Sequence, residues 1–334
     1  MNTIKQIIRK LKRIDTALIF PHVNPDGDAL GSSIALADAL NQNKVDASIL
    51  IDEELEPKFK FLDLSNIFVK QDKKLIYKNI LTGKKLDLKK KDINLSILVD
   101  NNTLNRIEGR REAFALGSET MIIDHHYFDD YDADYAFIVP LAPACVQLIF
   151  NILKTMRVKF NESIVNALYT GLLTDTGSFK YQNVTKLTHD MAGFLHDRGV
   201  NHTQIYSKLF ENNPIEKLKL ESLMVDRAFK IKDNIVMTYV KREDVERLGA
   251  NMHDADSLSA KLRGIKDIDI AIVLREYVDN ETKVSMRSSN DYDVNGFASI
   301  MGGGGHKKAA GFTVMSPIEE AVERVKEKAL EFYG

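Results

Sequence analysis

The sequence predicts an α/β fold in which a mainly parallel sheet is flanked by helices and is followed by a second, smaller α/β domain. Three apolar runs in the first half, residues 16–20, 94–99 and 120–123, each lead into acidic or histidine residues. Continuous apolar runs of this length, separated by helix-like stretches, are typical of buried parallel strands. A second set of strand-like runs follows a long polar, helix-prone stretch and indicates the second domain.

The elements of the first half can be justified in chain order. The apolar residues of a first helix recur at helical spacing: Ile4, Ile7, Ile8, Leu11 and Ile14. Residues 29–40 are predicted as a helix that begins directly after an acidic turn, and residues 163–173 as another. The lysine-rich residues 84–92 are predicted as a solvated loop.

The second half begins with a helix-prone stretch, residues 187–220, which Asn212-Asn213-Pro214 interrupts. Strand-like runs then follow at 235–240, 268–274, 283–287 and 311–314, before a charged final helix. We therefore predict a first domain at 1–190, a helical linker at 191–215 and a second domain at 216–334.

Composition limits the class of protein. The chain has 334 residues, 46 Lys and Arg against 48 Asp and Glu, and a formal net charge of −2. This balance excludes a basic protein that coats nucleic acid by charge alone. A single cysteine, Cys145, excludes an internal disulfide and a cysteine-based metal site. Since no segment reaches the about 18 apolar residues that a membrane span needs, we expect a cytoplasmic protein with no membrane partner.

Polar residues at the ends of the predicted strands carry the chemistry. They are His22, Asp26, Asp28, Asp100, Asp124, His125, His126 and Asp175. Taken singly, Asp26 suits a turn, Asp28 a helix cap and His125 a core position. Together they are informative, because ligands of a parallel sheet bind beyond the carboxyl ends of its strands. Converged carboxylates repel one another unless cations lie between them.

The donor types favour a pair of divalent cations. Aspartate oxygens with imidazoles and no thiolate suit Mn²⁺ or Mg²⁺ better than a structural zinc ion. The four charges of Asp26, Asp28, Asp100 and Asp175 balance two such cations. Paired metal ions stabilise the attacking and leaving oxygens in phosphoryl displacement, so the predicted reaction is phosphate-ester hydrolysis.

Four segments resemble the four motifs of the DHH phosphoesterase superfamily: His22-Val-Asn-Pro-Asp26-Gly-Asp28-Ala-Leu-Gly-Ser, Val99-Asp100, Asp124-His125-His126 and Thr174-Asp175-Thr-Gly. Val284-Ser-Met-Arg287-Ser-Ser and Gly302-Gly-Gly-Gly-His306-Lys-Lys-Ala-Ala-Gly-Phe resemble its DHHA1 domain. The resemblance implies a DHH catalytic, metal-binding domain, a DHHA1 substrate-binding domain and an active site in the cleft between them.

The resemblance also implies roles for single residues. His22 and Asp26 would hold one ion, Asp28, His125 and Asp175 the other, and the catalytic Asp100 would bridge both. Asp124 would orient a histidine. The residues implied to bind substrate are His126, Arg287, Gly303, Gly304, Gly305 and His306. Of these, His126 and Arg287 are also implied in catalysis, His126 by contacting the phosphate or assisting the leaving group.

Among members of the superfamily, a compact chain of this size resembles the bacterial oligoribonuclease and pAp-phosphatase (nano-RNase) branch. This implies two Mn²⁺ ions, with Mg²⁺ or Co²⁺ as substitutes, and hydroxide attack on phosphorus. The expected substrates are short RNA oligonucleotides and 3′-phosphoadenosine 5′-phosphate (pAp), which yields AMP, and a homodimer is expected. The alternatives are a cyclic or linear dinucleotide phosphodiesterase, a single-strand exonuclease, and a catalytically silent nucleotide sensor. Two departures from the family pattern, Asn101-Asn102 after Asp100 and Gln147 in place of Glu, concern substrate preference.

Overall fold

The computed structural model describes residues 1–71, 75–127, 132–211, 213–256, 258–289 and 292–334, and for His306 it describes the backbone alone. The chain forms two compact units, Met1–Asn212 (unit 1) and Asn213–Gly334 (unit 2), which are described separately below. Both units combine helices with a sheet, which confirms the predicted α/β class.

The sheet of unit 1 contains eight strands among the described residues. They are β1 (Thr16–Phe20), β2 (Asp46–Ile51), β3 (Ile67–Lys70), β4 (Ile76–Asn79), β5 (Lys85–Asp87), β6 (Ile93–Val99), β7 (Gly117–Asp124) and β8 (Tyr135–Ile138). Their order across the sheet is β5-β4-β3-β2-β1-β6-β7-β8. In this order, each strand in the series β3-β2-β1-β6-β7-β8 is parallel to its neighbour. Strands β4 and β5 extend the sheet beyond β3 with antiparallel pairing. The sheet is therefore largely parallel, as predicted.

Helices cover this sheet. They are α1 (Ile4–Leu11), α2 (Gly27–Gln42), α3 (Arg111–Phe114), α4 (Cys145–Met156), α5 (Glu162–Asp175), α6 (Lys186–His196) and α7 (His202–Tyr206), with a π-helical turn at Ser207–Glu211. Successive residues of β1 enter different cores: Ile19 packs with α1, α2, α4 and α5, whereas Leu18 and Phe20 pack on the opposite face. Burial on both faces explains why the central strands β1 and β6 are mainly apolar.

Helices α2 and α5 approach one another closely because glycines line their contact. A Cβ atom at Gly31 would lie 2.3 Å from the carbonyl oxygen of Ala167, and one at Gly27 would lie 2.5 Å from Thr174 Oγ1. A Cβ atom at Gly171 would lie 2.4 Å from Val146 Cγ1 of α4. The three glycines thus set the spacing between α2, α4 and α5.

Unit 2 contains six strands among the described residues, with helices on both faces. The strands are β9 (Phe229–Lys232), β10 (Ile235–Val240), β11 (Ile270–Val278), β12 (Glu281–Ser288), β13 (Gly304–His306) and β14 (Ala309–Val314). The helices are α8 (Ile215–Asp226), α9 (Arg242–Leu248), α10 (Leu258–Leu262), α11 (Val294–Ile300) and α12 (Ile318–Tyr333). The strand order is β13-β14-β12-β11-β10-β9. Residues of α11 and α12 share one core with the sheet, and residues of α8, α9 and α10 share the other.

Residues 84–92 and 191–215 have more structure than the sequence predicted. The prediction of a solvated loop at 84–92 is wrong, because this stretch contains β5 and a 3₁₀ turn at Leu88–Lys90. Leu86 and Leu88 are buried in a core, and the surrounding lysines point outward. Within the predicted linker 191–215, Leu195 and Ile205 belong to the core of unit 1. None of the described helices is both long and apolar enough to cross a membrane.

The contact between α2 and α5 gives a stability prediction. Gly31→Ala should lower the free energy of unfolding by about 1–3 kcal/mol, because the new methyl group must displace the backbone of α5. Gly193→Ala on α6 is the matched control, since a Cβ atom there meets nothing within 4 Å. The control should raise stability by about 0.5–1 kcal/mol. Urea denaturation measures both; equal effects at the two positions would contradict the packing argument.

Candidate metal centre

The strand ends of unit 1 bring the predicted acidic and histidine residues together. His22 follows β1, Asp100 follows β6, and Asp124 ends β7 just before His125 and His126. Two helices supply the rest: Asp26 caps α2, Asp28 lies in its first turn, and Asp175 is the last residue of α5. The close packing of α2 against α5 therefore places Asp28 and Asp175 beside the strand ends.

The described residues form three overlapping groups of potential ligand atoms in this region, and in each group the atoms lie within 4.8 Å of one another. One group joins Asp100 to Asp124, His125 and His126, and the other two contain the residues expected to bind the two ions. In the first of these two groups, His22 Nε2 lies 3.9 Å from Asp26 Oδ2 and 3.9 Å from Asp100 Oδ2. In the second group, His125 Nε2 lies 3.7 Å from Asp28 Oδ2 and 3.4 Å from Asp175 Oδ2. These are the residues assigned from the sequence to one ion and to the other.

Asp100 faces both groups. Its Oδ2 is the atom near His22, while its Oδ1 lies 3.3 Å from His125 Nε2. The residue is 2 % exposed and has a left-handed backbone, with φ of 55°. Such a conformation is uncommon outside glycine and occurs mainly at turns and functional sites. The two oxygens of one buried carboxylate are thus placed to serve two cations.

Backbone carbonyl groups orient both histidines. His22 Nδ1 lies 2.7 Å from the carbonyl oxygen of Val23, and His125 Nδ1 lies 3.0 Å from that of Ala142. Since a carbonyl oxygen can only accept, each Nδ1 carries the proton and each Nε2 is turned toward the carboxylates. This is the usual arrangement behind a metal-ligating histidine.

Asp28 is held by groups that the sequence analysis missed. Its Oδ2 accepts a hydrogen bond from the amide of Cys145 at 2.5 Å, and its Oδ1 accepts one from the amide of Val146 at 2.8 Å. Asp28 therefore receives the first amides of α4, while Asp26 caps α2 through the amides of Asp28 and Ala29. A backbone amide is present at every residue but proline, so residue types could not reveal these contacts.

The side chain of Asp124 holds His126 in place. Asp124 Oδ1 accepts hydrogen bonds from the amides of His125 and His126 and lies 2.8 Å from His126 Nδ1. The bond to Asp124 raises the pKa of His126, although burial opposes it. The orienting role implied for Asp124 therefore has a physical basis in these contacts.

The donor set fits divalent cations. Asp124 Oδ2 is buried and has no hydrogen-bond partner among the described residues, and the buried Asp100 Oδ1 faces only the imidazoles of His125 and His126. Ligands about 2.0–2.2 Å from a common ion lie roughly 3–3.6 Å from each other, close to the separations around His125. Cys145 is no competing ligand: its buried thiol lies 3.4 Å from the carbonyl oxygen of Ile123.

Crowded carboxylates shift the pKa values of the metal-free site. Burial, followed by the charges of Asp100 and Asp175, raises the pKa of Asp28, and burial raises the pKa of Asp175 to about 7. Burial lowers the pKa of His125, but the contact with Asp100 and the charge of Asp28 outweigh it and raise that pKa to about 10. Near neutral pH the metal-free site therefore retains protons that a bound cation would replace.

Apart from His126, the residues implied to bind substrate lie in unit 2. Arg287 is on β12, where its Nη1 donates to the carbonyl oxygen of Met286 at 2.9 Å, and Gly304, Gly305 and His306 form β13. The side chain of His306 lies outside what the structure describes. The predicted cleft between the two domains stays a prediction.

The glycines of this run differ in their surroundings. A Cβ atom at Gly303 would lie 2.2 Å from the carbonyl oxygen of Gly311, and one at Gly305 would lie 2.4 Å from that of Ala309. At Gly304 the nearest atom, Asn295 Oδ1, would be 3.8 Å away. Packing against β14 thus requires glycine at 303 and 305, whereas the space beside Gly304 is open.

The fold and these residues define the class of protein, and comparison with known families agrees. Residues 16–172 match the DHH family N-terminal domain, and residues 232–334 match the DHHA1 domain. The chain therefore contains a DHH domain and a DHHA1 domain, which confirms the resemblance found in the sequence.

Three similar proteins span nearly the whole chain. The bifunctional oligoribonuclease and PAP phosphatase NrnA of Bacillus subtilis is 25% identical, with 93% of each chain covered. The protein of the same name from Thermus thermophilus is 26% identical, covering 98% of this chain and 94% of its own. An exopolyphosphatase-related protein of Bacteroides fragilis, a solved structure, is 25% identical, with a TM-score of 0.87 and coverage of 99% of this chain and 96% of that one.

The raised pKa values predict proton release on metal binding. Because Asp28, Asp175 and His125 must lose protons to bind a cation, the affinity for Mn²⁺ should rise between pH 6 and pH 8. Calorimetric titration in two buffers of different ionisation enthalpy measures the number of protons released. Asp175→Asn should release fewer, since it removes one titrating ligand. The same apparent enthalpy in both buffers would contradict this prediction.

Proposed function

We propose that this chain is a Mn²⁺-dependent phosphoesterase that hydrolyses short oligoribonucleotides and converts pAp to AMP. The observation that carries the proposal is the pair of ligand groups joined by Asp100, which suits two divalent cations side by side. The DHH domain and the names of the full-length relatives support a hydrolase of phosphate esters. The identity of the metal, the number of bound ions and the substrates are what we propose.

The substrates are proposed from the full-length relatives. The proteins from B. subtilis and T. thermophilus are named for both an oligoribonuclease and a PAP phosphatase activity, and they align over both domains. The near-neutral charge of this chain also suits short substrates, because long single strands are usually held by an extended basic groove.

We propose that His22, Asp26 and Asp100 hold one cation and that Asp28, His125, Asp175 and Asp100 hold the other. Such a pair of cations would supply an activated water and would offset the charge that develops on the phosphoryl oxygens. Manganese suits carboxylate and imidazole donors in the absence of a thiolate. The four carboxylates Asp26, Asp28, Asp100 and Asp175 balance the charge of two divalent ions.

The remaining residues act on the substrate. Asp124 holds His126 through Nδ1, so we propose that the opposite nitrogen of His126 contacts the phosphate and protonates the leaving oxygen. The raised pKa of His126 favours the protonated form that this role needs. Arg287, Gly303, Gly304, Gly305 and His306 are proposed to hold the terminal phosphate, since a guanidinium group and exposed amides both bind phosphate well.

Hydrolysis of a defined substrate panel tests this function. With Mn²⁺ the protein should release nucleotides from di- to pentaribonucleotides and phosphate from pAp, and chelation should abolish both activities. Asp100→Asn and Asp175→Asn should each lower kcat at least about 100-fold, because each removes a proposed ligand charge. Asp190→Asn, on the exposed face of α6, is the matched control and should keep the wild-type rate.

Adding cyclic dinucleotides and long single strands to that panel gives each alternative function its own outcome. Cleavage of cyclic or linear dinucleotides alone would make the chain a dinucleotide phosphodiesterase, and a preference for long single strands would make it an exonuclease. Tight binding of pAp without hydrolysis would make it a nucleotide sensor. Wild-type turnover by both aspartate variants would overturn the proposed metal site itself.

The open space beside Gly304 allows a separate test of substrate binding. Gly304→Val should leave the unfolding midpoint unchanged, because β13 accepts a side chain there without collision. If the substrate phosphate occupies this space, the same change should raise KM about tenfold or more while kcat changes little. Gly303→Val is the contrasting variant and should destabilise unit 2. An unchanged KM in Gly304→Val would exclude Gly304 from the binding surface.

A further inference from the structure

We infer that residues 142–146, here called the α4 entry segment, position two of the three residues in the second ligand group through backbone atoms alone. The inference rests on the proposed function, since it counts Asp28 and His125 as ligands of one cation. What it adds is a positioning role for Cys145 that depends on its amide rather than on its thiol.

The contact with Asp28 involves both carboxylate oxygens. The amides of Cys145 and Val146 each donate to a different oxygen, at 2.5 and 2.8 Å. Asp28 is fully buried, and Ser32 Oγ lies 3.4 Å from its Oδ1. Two donors on two oxygens fix the rotation of the carboxylate plane, which a single hydrogen bond would leave adjustable.

The same segment also fixes His125. The carbonyl oxygen of Ala142 accepts from His125 Nδ1 at 3.0 Å, three residues before the amide that binds Asp28. His125 Nε2 and Asp28 Oδ2 are 3.7 Å apart and face the same ligand group. One short piece of backbone therefore sets the spacing between two side chains that come from β7 and α2.

The entry segment is itself firmly held. The amide of Val139 donates to the carbonyl oxygen of Asp124, and the amide of Ala142 donates to that of Val139. Ala144, Cys145 and Val146 are fully buried, and Val146 packs against Gly171 of α5. Since these contacts are made within the protein and do not involve an ion, the backbone itself can hold Asp28 and His125 in place for one.

Proline at position 145 tests the inference directly. Cys145 is the first residue of α4, where helices tolerate proline because its amide is not needed within the helix. Ala144 has φ of −163° and ψ of 149°, an extended conformation that can precede proline. The substitution removes the donor to Asp28 Oδ2 and places a ring carbon beside that oxygen.

The experiment titrates the protein with Mn²⁺ alone. Electron paramagnetic resonance of the unbound ion measures how much Mn²⁺ is bound. Wild-type protein should bind two Mn²⁺ ions. Cys145→Pro should lower the affinity for one of these ions by about 10- to 100-fold, the usual effect of losing a group that orients a ligand. Comparison with Cys145→Ala separates the loss of the amide from the loss of the thiol. Glu162→Pro, at the first position of α5, is the matched control for a proline at this place in a helix and should leave Mn²⁺ binding unchanged.

A double substitution shows whether the amide acts through Asp28. In an Asp28→Ala background, Cys145→Pro should cause no further loss of Mn²⁺ affinity. Hydrogen exchange gives a second measurement that requires no folded proline variant: in metal-free protein, Asp28→Ala should speed exchange of the amides of Cys145 and Val146. Amides in the last turn of α4 should exchange as before.

The outcomes distinguish this inference from the proposed function. If wild-type protein binds no Mn²⁺, the proposed function fails first. If wild-type protein binds two ions and Cys145→Pro and Cys145→Ala bind them equally well, the positioning role of the amide is overturned. Unchanged exchange at 145 and 146 in Asp28→Ala would overturn it independently.

Discussion

The mutual repulsion of buried carboxylates is the constraint on which the rest of unit 1 depends. Asp28 and Asp100 are almost fully buried, and Asp175 joins them around His125. Burial raises the pKa values of Asp28 and Asp175, and repulsion from neighbouring carboxylates adds to the rise, so without a cation the site keeps protons. Folding thus places negative charge where it favours a cation, and the proposed pair of divalent cations would supply the positive charge.

The scaffold has to hold these groups together against their repulsion. Gly27, Gly31 and Gly171 let α2 lie directly on α5 and bring α4 against both. Asp28 then reaches the amides of α4 while Asp175, at the end of α5, reaches His125. The geometry of the site is therefore a consequence of helix packing as much as of the strand ends, and a methyl group at a distant contact can disturb it.

The sequence predicted the groups that depend on residue type and missed those that depend on backbone. His22, Asp100 and Asp124 could be placed because polar residues at the ends of apolar runs converge in a parallel sheet. The carbonyl oxygen of Ala142 and the amide of Cys145 could not, since any residue supplies a carbonyl and nearly any an amide. Strand β5 was missed because its one buried side chain, Leu86, lies between the charged residues Lys85 and Asp87.

The glycine run shows the same limit from the opposite side. Four consecutive glycines suggest one shared role. However, contact with β14 requires glycine at 303 and 305, and a φ of 82° favours glycine at 302. Gly304 alone has neither requirement, so the fold gives no reason for the absence of a side chain there. Packing therefore accounts for the glycines on either side of Gly304, whereas at Gly304 the proposed contact with substrate would account for the glycine.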